Sequence, residues 1–162
     1  MGSFNGGTIT SDAGSLLLRE VEGRTGILEG FSGCFKDHRH EGSIEHAVSE
    51  LVSQQLYGSC LGYEDLNDHD VLRRDPLLAL LSGKKDPTGQ NRRREQDRGK
   101  ALAGKSTLNR LELTRAEIEG DQARKIVCRH EGGGKICLWT FFSSWKIKRP
   151  KRSYWIWMRP MI

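Results

Sequence analysis

Nine consecutive residues, Gln90 to Arg98, carry no apolar side chain, and they stand directly before Gly99-Lys100-Ala101-Leu102-Ala103-Gly104-Lys105-Ser106. The second stretch has the spacing of a nucleotide phosphate loop. Such a loop works only where a buried strand delivers the glycine turn and a helix offers its N-terminal amides to the phosphates. Gln90-Asn91-Arg92-Arg93-Arg94-Glu95-Gln96-Asp97-Arg98 cannot form a buried strand, and no apolar run ending in a magnesium-holding Asp follows. A nucleotide-hydrolysing α/β fold is therefore the weaker reading of this motif.

The remaining pattern is one of short helices separated by glycines. Phe4 to Thr10 reads as a short extended segment. Ser11 or Asp12 can then cap a helix with Leu16, Leu17 and Val21 on one face and Gly23 and Gly26 near its end. Residues 30–42 read as loop or weak helix. His38 and His40 lie there two apart, but no third residue stands at a convincing ligand spacing, which argues against a metal. Ser43 suits an N-cap for a helix carrying Ile44, Ala47, Val48, Leu51, Val52 and Leu56 as one apolar stripe, closed by Gly58. Glu45, Glu50, Gln54 and Gln55 fall outside that stripe. Asp75-Pro76 predicts a cap followed by proline at the first helical position, with Leu77, Leu78, Leu80 and Leu81 running to Gly83. Ser106 is expected to cap a last helix with Leu108, Leu111 and Ile118 as its apolar members and Gly120 as its stop.

Glu64, Asp65, Asp68, His69 and Asp70 form an acidic block. On a helix Asp65, Asp68 and His69 would share a face and could approach a metal. Leu66, Val71 and Leu72 alternate with them, however, and acidic residues in a first turn suit the helix dipole. A solvated amphipathic helix is the favoured expectation. No serine or cysteine sits with a histidine and a carboxylate in a strand-turn-helix frame, so no nucleophile is indicated.

The net charge of +5 is unevenly distributed. All 21 acidic residues precede Gly132; residues 1–131 hold 19 basic side chains, and residues 132–162 hold seven basic and no acidic ones. Trp139, Trp145, Trp155 and Trp157 also lie in the last segment. Cys34, Cys60, Cys128 and Cys137 are widely spread and suggest neither a zinc site nor a redox pair. No apolar run approaches the roughly 18 residues that span a bilayer, and no leader pattern opens the chain, so a cytoplasmic protein with no membrane partner is expected.

Several blocks carry a resemblance. They are Ser11-Asp12-Ala13-Gly14-Ser15-Leu16-Leu17-Leu18-Arg19-Glu20, Tyr63-Glu64-Asp65-Leu66-Asn67-Asp68-His69-Asp70, Asp75-Pro76-Leu77-Leu78-Ala79 and Ala103-Gly104-Lys105-Ser106-Thr107-Leu108-Asn109-Arg110-Leu111-Glu112. In order and with few gaps, about residues 4 to 127 resemble the N-terminal part of bacterial insertion-sequence transposases with the group 1 DDE domain. The resemblance implies a mainly α fold, the helical region that precedes a ribonuclease-H-like catalytic sheet. It also implies DNA, the transposon ends, as partner of the parent enzyme. In that enzyme two aspartates and a glutamate hold two divalent metals, Mg2+ or Mn2+, that activate water and then a DNA 3′ hydroxyl for attack on phosphodiesters.

Between Lys84 and Lys105 the chain holds Lys84, Lys85, Arg92, Arg93, Arg94, Arg98, Lys100 and Lys105 against Asp86, Glu95 and Asp97. Such a run can track phosphates or simply be a solvated loop. The resemblance favours DNA contact.

The resemblance stops at Ile126-Val127, where the composition changes. In the family this point leads through a helix into a strand with the first catalytic aspartate, in a phrase like Leu-Asp-Met-Asp-Ala-Thr-Asp-Asp. Reading Tyr154 to Ile162 from the third base of the Tyr154 codon gives Leu-Asp-(Met or Leu)-Asp-(Ala or Glu)-x-x-Asp, which accommodates that phrase. The same shift over Lys135 to Phe142 gives an amphipathic pattern suited to the preceding helix. A frameshift between about Cys128 and Lys135 is the resulting expectation. Residues 1–127 would then form the helical part, and residues 128–162 would be an irregular, disordered tail with no catalytic residue and no metal of its own. Such a fragment would be inactive, with residual DNA binding, or would act as a stand-alone DNA-binding regulator or inhibitor of a full-length transposase.

Overall fold

In the computed structural model of the protein the described residues are 12–112 and 126–128. They are mainly α-helical, with one small antiparallel sheet. The first helix, α1 (Leu16–Thr25), follows a 3-10 turn at Ala13–Ser15 and ends at Gly26, whose φ of 61° is left-handed. Gly26 therefore both closes α1 and opens α2 (Ile27–Ser32) without a capping side chain. The cap comes from the preceding helix, because Glu22 Oε2 accepts a hydrogen bond from Leu28 N at 2.9 Å. Leu16, Leu17 and Val21 face outward at 50%, 73% and 52% exposure, while Leu18 turns in against the core.

Residues 30–42, expected as loop or weak helix, hold one element outside that expectation, a strand. They complete α2 and then form β1 (Phe35–Asp37), which pairs with β2 (Ile126–Cys128) in the register Phe35–Cys128, Lys36–Val127 and Asp37–Ile126. All three β2 residues are buried and apolar, and Phe35 meets Phe31 edge-to-face at 5.3 Å. Long-range pairing of this kind leaves no signal in a three-residue stretch.

The central helix is α3 (Val48–Cys60), which starts at Ala47 rather than at Ser43; Ser43 lies in a separate 3-10 turn, Glu41–Ser43. Glu50 Oε2 accepts from Ala47 N at 2.9 Å, so the amide of the N-cap residue is satisfied from inside the helix. Leu51 and Val52 feed one hydrophobic cluster with Phe31, Leu108 and Ile126. Tyr57 feeds a second with Leu72, Leu78 and Leu102. Gly58 is interior to α3 and does not close it. A Cβ there would stand 2.7 Å from His69 Cε1, so glycine is what lets α4 (His69–Leu72) approach.

The acidic block is mostly turn, and only His69 and Asp70 of it are helical, in the first turn of the four-residue α4. Asp65 Oδ1 accepts from Asn67 N at 2.9 Å, while His69 and Leu72 point inward and Val71 is 76% exposed. Asp75 behaves as its sequence predicts: its Oδ1 accepts from Leu77 N at 2.7 Å and Leu78 N at 3.1 Å at the start of α5 (Pro76–Leu81). The last described helix is α6 (Lys105–Glu112), with Leu108 and Leu111 buried. Its first turn is accepted by Gly104 O, so Ser106 is an interior residue and not the cap. Ile118, Gly120 and the expected tail lie outside the described residues, except for Cys128.

Ala101, Leu102 and Ala103 are buried yet belong to neither helix nor strand. Buried backbone of this kind requires partners. Gln54 supplies them for Ala103: Oε1 accepts from Ala103 N at 3.0 Å and Nε2 donates to Ala103 O at 2.8 Å. The second Nε2 proton reaches His69 Nδ1 at 3.2 Å. Gln54 thus mimics a strand edge inside the core, although its place outside the apolar stripe predicts a solvated amide.

Candidate nucleic-acid interface

The eight basic side chains of residues 84–105 are sorted by the fold into two kinds. Lys84 is an internal residue: Nζ meets Glu50 Oε2 at 2.5 Å and Glu45 O at 3.1 Å, with 9% of the side chain exposed. Burial pulls its pKa below the ordinary lysine value, and the Glu50 bond opposes that shift. Arg92 is likewise internal at 10% exposure, with Nη2 on Glu45 Oε2 at 3.3 Å and Nη1 on His46 Nε2 at 2.6 Å. A guanidinium only donates, so His46 Nε2 must be unprotonated. Burial, then the charges of Lys84, Arg92, Arg73 and Arg39, push the His46 pKa down to about 2. These two cations hold the loop against the N-terminal end of α3.

The others face outward to differing degrees. Lys85, Arg93, Arg94, Arg98 and Lys105 are exposed and Lys100 is half-buried. Arg93 Nη1 donates to Gly42 O at 2.6 Å, and Lys100 Nζ to Gln96 O at 2.7 Å. Arg94, Glu95 and Gln96 line an open hollow around the 3-10 turn Glu95–Asp97.

The loop that presents these groups is built rigidly. Asp86 Oδ1 accepts from Thr88 N, Thr88 Oγ1 and Gly89 N, and Oδ2 accepts from Asn91 N at 2.7 Å. The Asn91 amide bond foremost holds the Asp86 carboxyl below its usual range. Gly89, at φ 68°, lies so close to the buried segment that a Cβ would meet Ala101 N at 2.5 Å. Arg73 Nη2 bonds Asp97 Oδ1 at 3.1 Å with both side chains under a fifth exposed, bolting the 3-10 turn to the end of α4. Of these partners only Arg73 comes from outside residues 84–105.

The phosphate-loop motif has a different geometry from the one its spacing suggests. Residues 101–103 pass through the core, and the first amide of α6, Lys105 N, donates to Asp70 Oδ1 at 3.1 Å. Lys105 Nζ donates to Asn67 Oδ1 at 3.1 Å and lies 3.6 Å from Asp70 Oδ2. A carboxylate of the chain thus stands where a nucleotide phosphate would have to sit.

The family model of the transposase DDE domain, group 1, matches residues 1–131. The chain belongs to that family. No curated protein and no solved structure matches it. Within this transposase chain, no three His, Cys, Asp or Glu side chains among the described residues are grouped to hold a metal ion. His38 and His40, and the Asp65, Asp68 and His69 set, therefore form no such group. No helix among the described residues is long and apolar enough to cross a membrane.

Proposed function

We propose that this chain is the helical N-terminal part of an insertion-sequence transposase, carried without the catalytic carboxylates and acting, where it acts, by binding DNA. The observation that carries this reading is a coincidence of boundaries. The family match ends at residue 131, and Glu131 is the last of the chain's 21 acidic residues. An enzyme that holds two metals by carboxylates cannot assemble its site from residues 132–162, which contain none. A frameshift between about Cys128 and Lys135 accounts for both the change in composition and the acidic phrase in the shifted frame.

Sequencing the DNA of this locus through the codons for Arg124 to Ile162, and translating all three frames, tests the proposal. An alternative frame that continues into an acidic strand and further on supplies a second Asp and a Glu supports it. Alternative frames closed by early stops overturn it and make the tryptophan-rich tail genuine coding sequence. The purified chain is expected to give no strand-transfer product from duplex ends with Mg2+ or Mn2+.

A second reading, a regulator that competes with a full-length transposase for DNA or for the enzyme itself, draws support from the packing. The described helices close two hydrophobic clusters around α3 with their own caps and ion pairs. Mixing the chain with intact transposase and measuring transposition frequency separates this from an inert relic.

A further inference from the structure

The exposed arc of α6 is made of hydrogen-bond donors. At about 100° per residue, Lys105, Asn109, Ser106 and Arg110 span roughly 140° of the helix surface. All four are exposed, while Leu108 and Leu111 are buried opposite them. Every member of the arc can donate a hydrogen bond and none is acidic. The helix N-terminus is not the available feature, because Asp70 already takes the Lys105 amide.

This arc and the arginine turn are fixed to one support. Arg73 bonds Asp97 of the turn, its carbonyl accepts from Leu102 N at 3.2 Å, and a Cβ at Gly104 would stand 3.0 Å from both Arg73 Nη1 and Asp70 Oδ1. The guanidinium therefore lies wedged between the 3-10 turn carrying Arg94 and Arg98 at its edges and the residue that launches α6. Basic side chains from two elements, Lys105 and Arg110 on α6 and Arg94 and Arg98 at the edges of the turn, are thus tied to one support, and their charge complements a polyphosphate.

We propose that α6 lies along a groove of duplex DNA, with Asn109 and Ser106 at base edges and Arg93, Arg94 and Arg98 on flanking phosphates. This rests on the DNA-binding reading above and adds to it a division of labour. Asn pairs two-pronged with adenine in the major groove, whereas arginines on a rigid turn hold the backbone without reading sequence.

The experiment uses the full chain, a pool of duplexes randomised over the central base pairs, and binding measured across a salt series. The chain should enrich a short motif. Asn109→Ala should lower affinity for that motif about tenfold while leaving the salt dependence of binding to the unselected pool unchanged. The combined Arg93→Ala, Arg94→Ala and Arg98→Ala variant should flatten that salt dependence by about two to three contacts. If the chain binds the pool but enriches nothing, or if Asn109→Ala and Ser106→Ala keep the motif intact, the α6 proposal is overturned and DNA binding stands. A changed sedimentation mass in Asn109→Ala with enrichment intact assigns the face to a second copy and also overturns it. If neither wild type nor the triple variant binds duplex in a salt-dependent way, the DNA-binding reading itself falls. Asn109 and Ser106 are exposed, so circular dichroism of their variants should match wild type and keep each outcome interpretable.

Discussion

The carboxylate of Asp70 caps helix α6 from 35 residues away, its Oδ1 accepting from Lys105 N at 3.1 Å. A helix N-terminus attracts an anion because its first amides have no partner within the helix. Here the anion is part of the fold. Lys105→Ala should therefore leave ATP unbound to the same extent as wild type in equilibrium dialysis. Asp70→Ala should cost about 1 kcal/mol of stability in urea unfolding; ATP binding that Lys105→Ala abolishes would sink this account of the motif.

Gln54 satisfies both backbone groups of Ala103 while fully buried, so its loss strands a donor and an acceptor in the core. Gln54→Leu keeps the volume and removes the bonds. It should destabilise by about 2–4 kcal/mol, with a lower midpoint in thermal unfolding. An unchanged midpoint would mean that the extended segment 101–103 is not held as described.

Two glycines in helices should respond in opposite directions. Gly58→Ala places a methyl 2.7 Å from the buried His69 ring, whereas a Cβ at Gly23 in α1 meets nothing within 4 Å. The first should cost about 1–3 kcal/mol. The second should add about 0.5–1 kcal/mol by restricting the unfolded chain. Paired denaturation curves decide whether α4 packs on α3 at this point.

Stability should fall on mild acidification. His46 is held neutral, its pKa pushed from 6.5 down to about 2 by burial and neighbouring cations, and burial also lowers His69. Below pH 6.5 the unfolded chain takes up protons that the folded chain refuses. His46 alone then removes about 1.4 kcal/mol per pH unit, fully present above 6.5 and lost progressively below it. Urea midpoints between pH 7.5 and 5 should show this slope, and His46→Gln should reduce it. A slope that His46→Gln leaves untouched would place the proton uptake elsewhere.

The buried and exposed cations of residues 84–105 should separate by phenotype. Lys84→Ala leaves Glu50 without its ion-pair partner, and Arg92→Ala removes the donors to Glu45 and His46. Each should lower stability by about 2 kcal/mol. Arg94→Ala, on the open turn, should change it by less than about 0.5 kcal/mol. Equal thermal shifts for all three would contradict the division into structural and surface groups.

Much of the local architecture was readable from residues one turn apart. Asp75-Pro76 announces α5 because the cap carboxylate and the amides it accepts are two and three residues away. Leu108 and Leu111 mark the inner face of α6 because helical spacing alone brings them together. The membership of the family was legible in the same way, as ordered blocks along the chain. The start of α3 was not, since Glu50 accepts from the Ala47 amide only once the helix is known to begin there.

Local spacing alone was enough for the helix stops at Gly26 and Gly83, the α5 cap and the inner face of α6, and ordered blocks and composition were enough for the family and the break at Gly132. The stop expected at Gly58 failed because that glycine is inside α3. The tertiary structure alone decided which polar groups are internal. Gln54 is buried against a backbone 49 residues away, Arg92 against Glu45 at a distance of 47, and Lys84 against Glu50 at 34. Periodicity reports which face of an element is apolar, but the cost of burying a charge or amide depends on whether a partner arrives from elsewhere in the chain. That partner is supplied by the packing of α3 against the loop and the extended segment, and no local pattern encodes it.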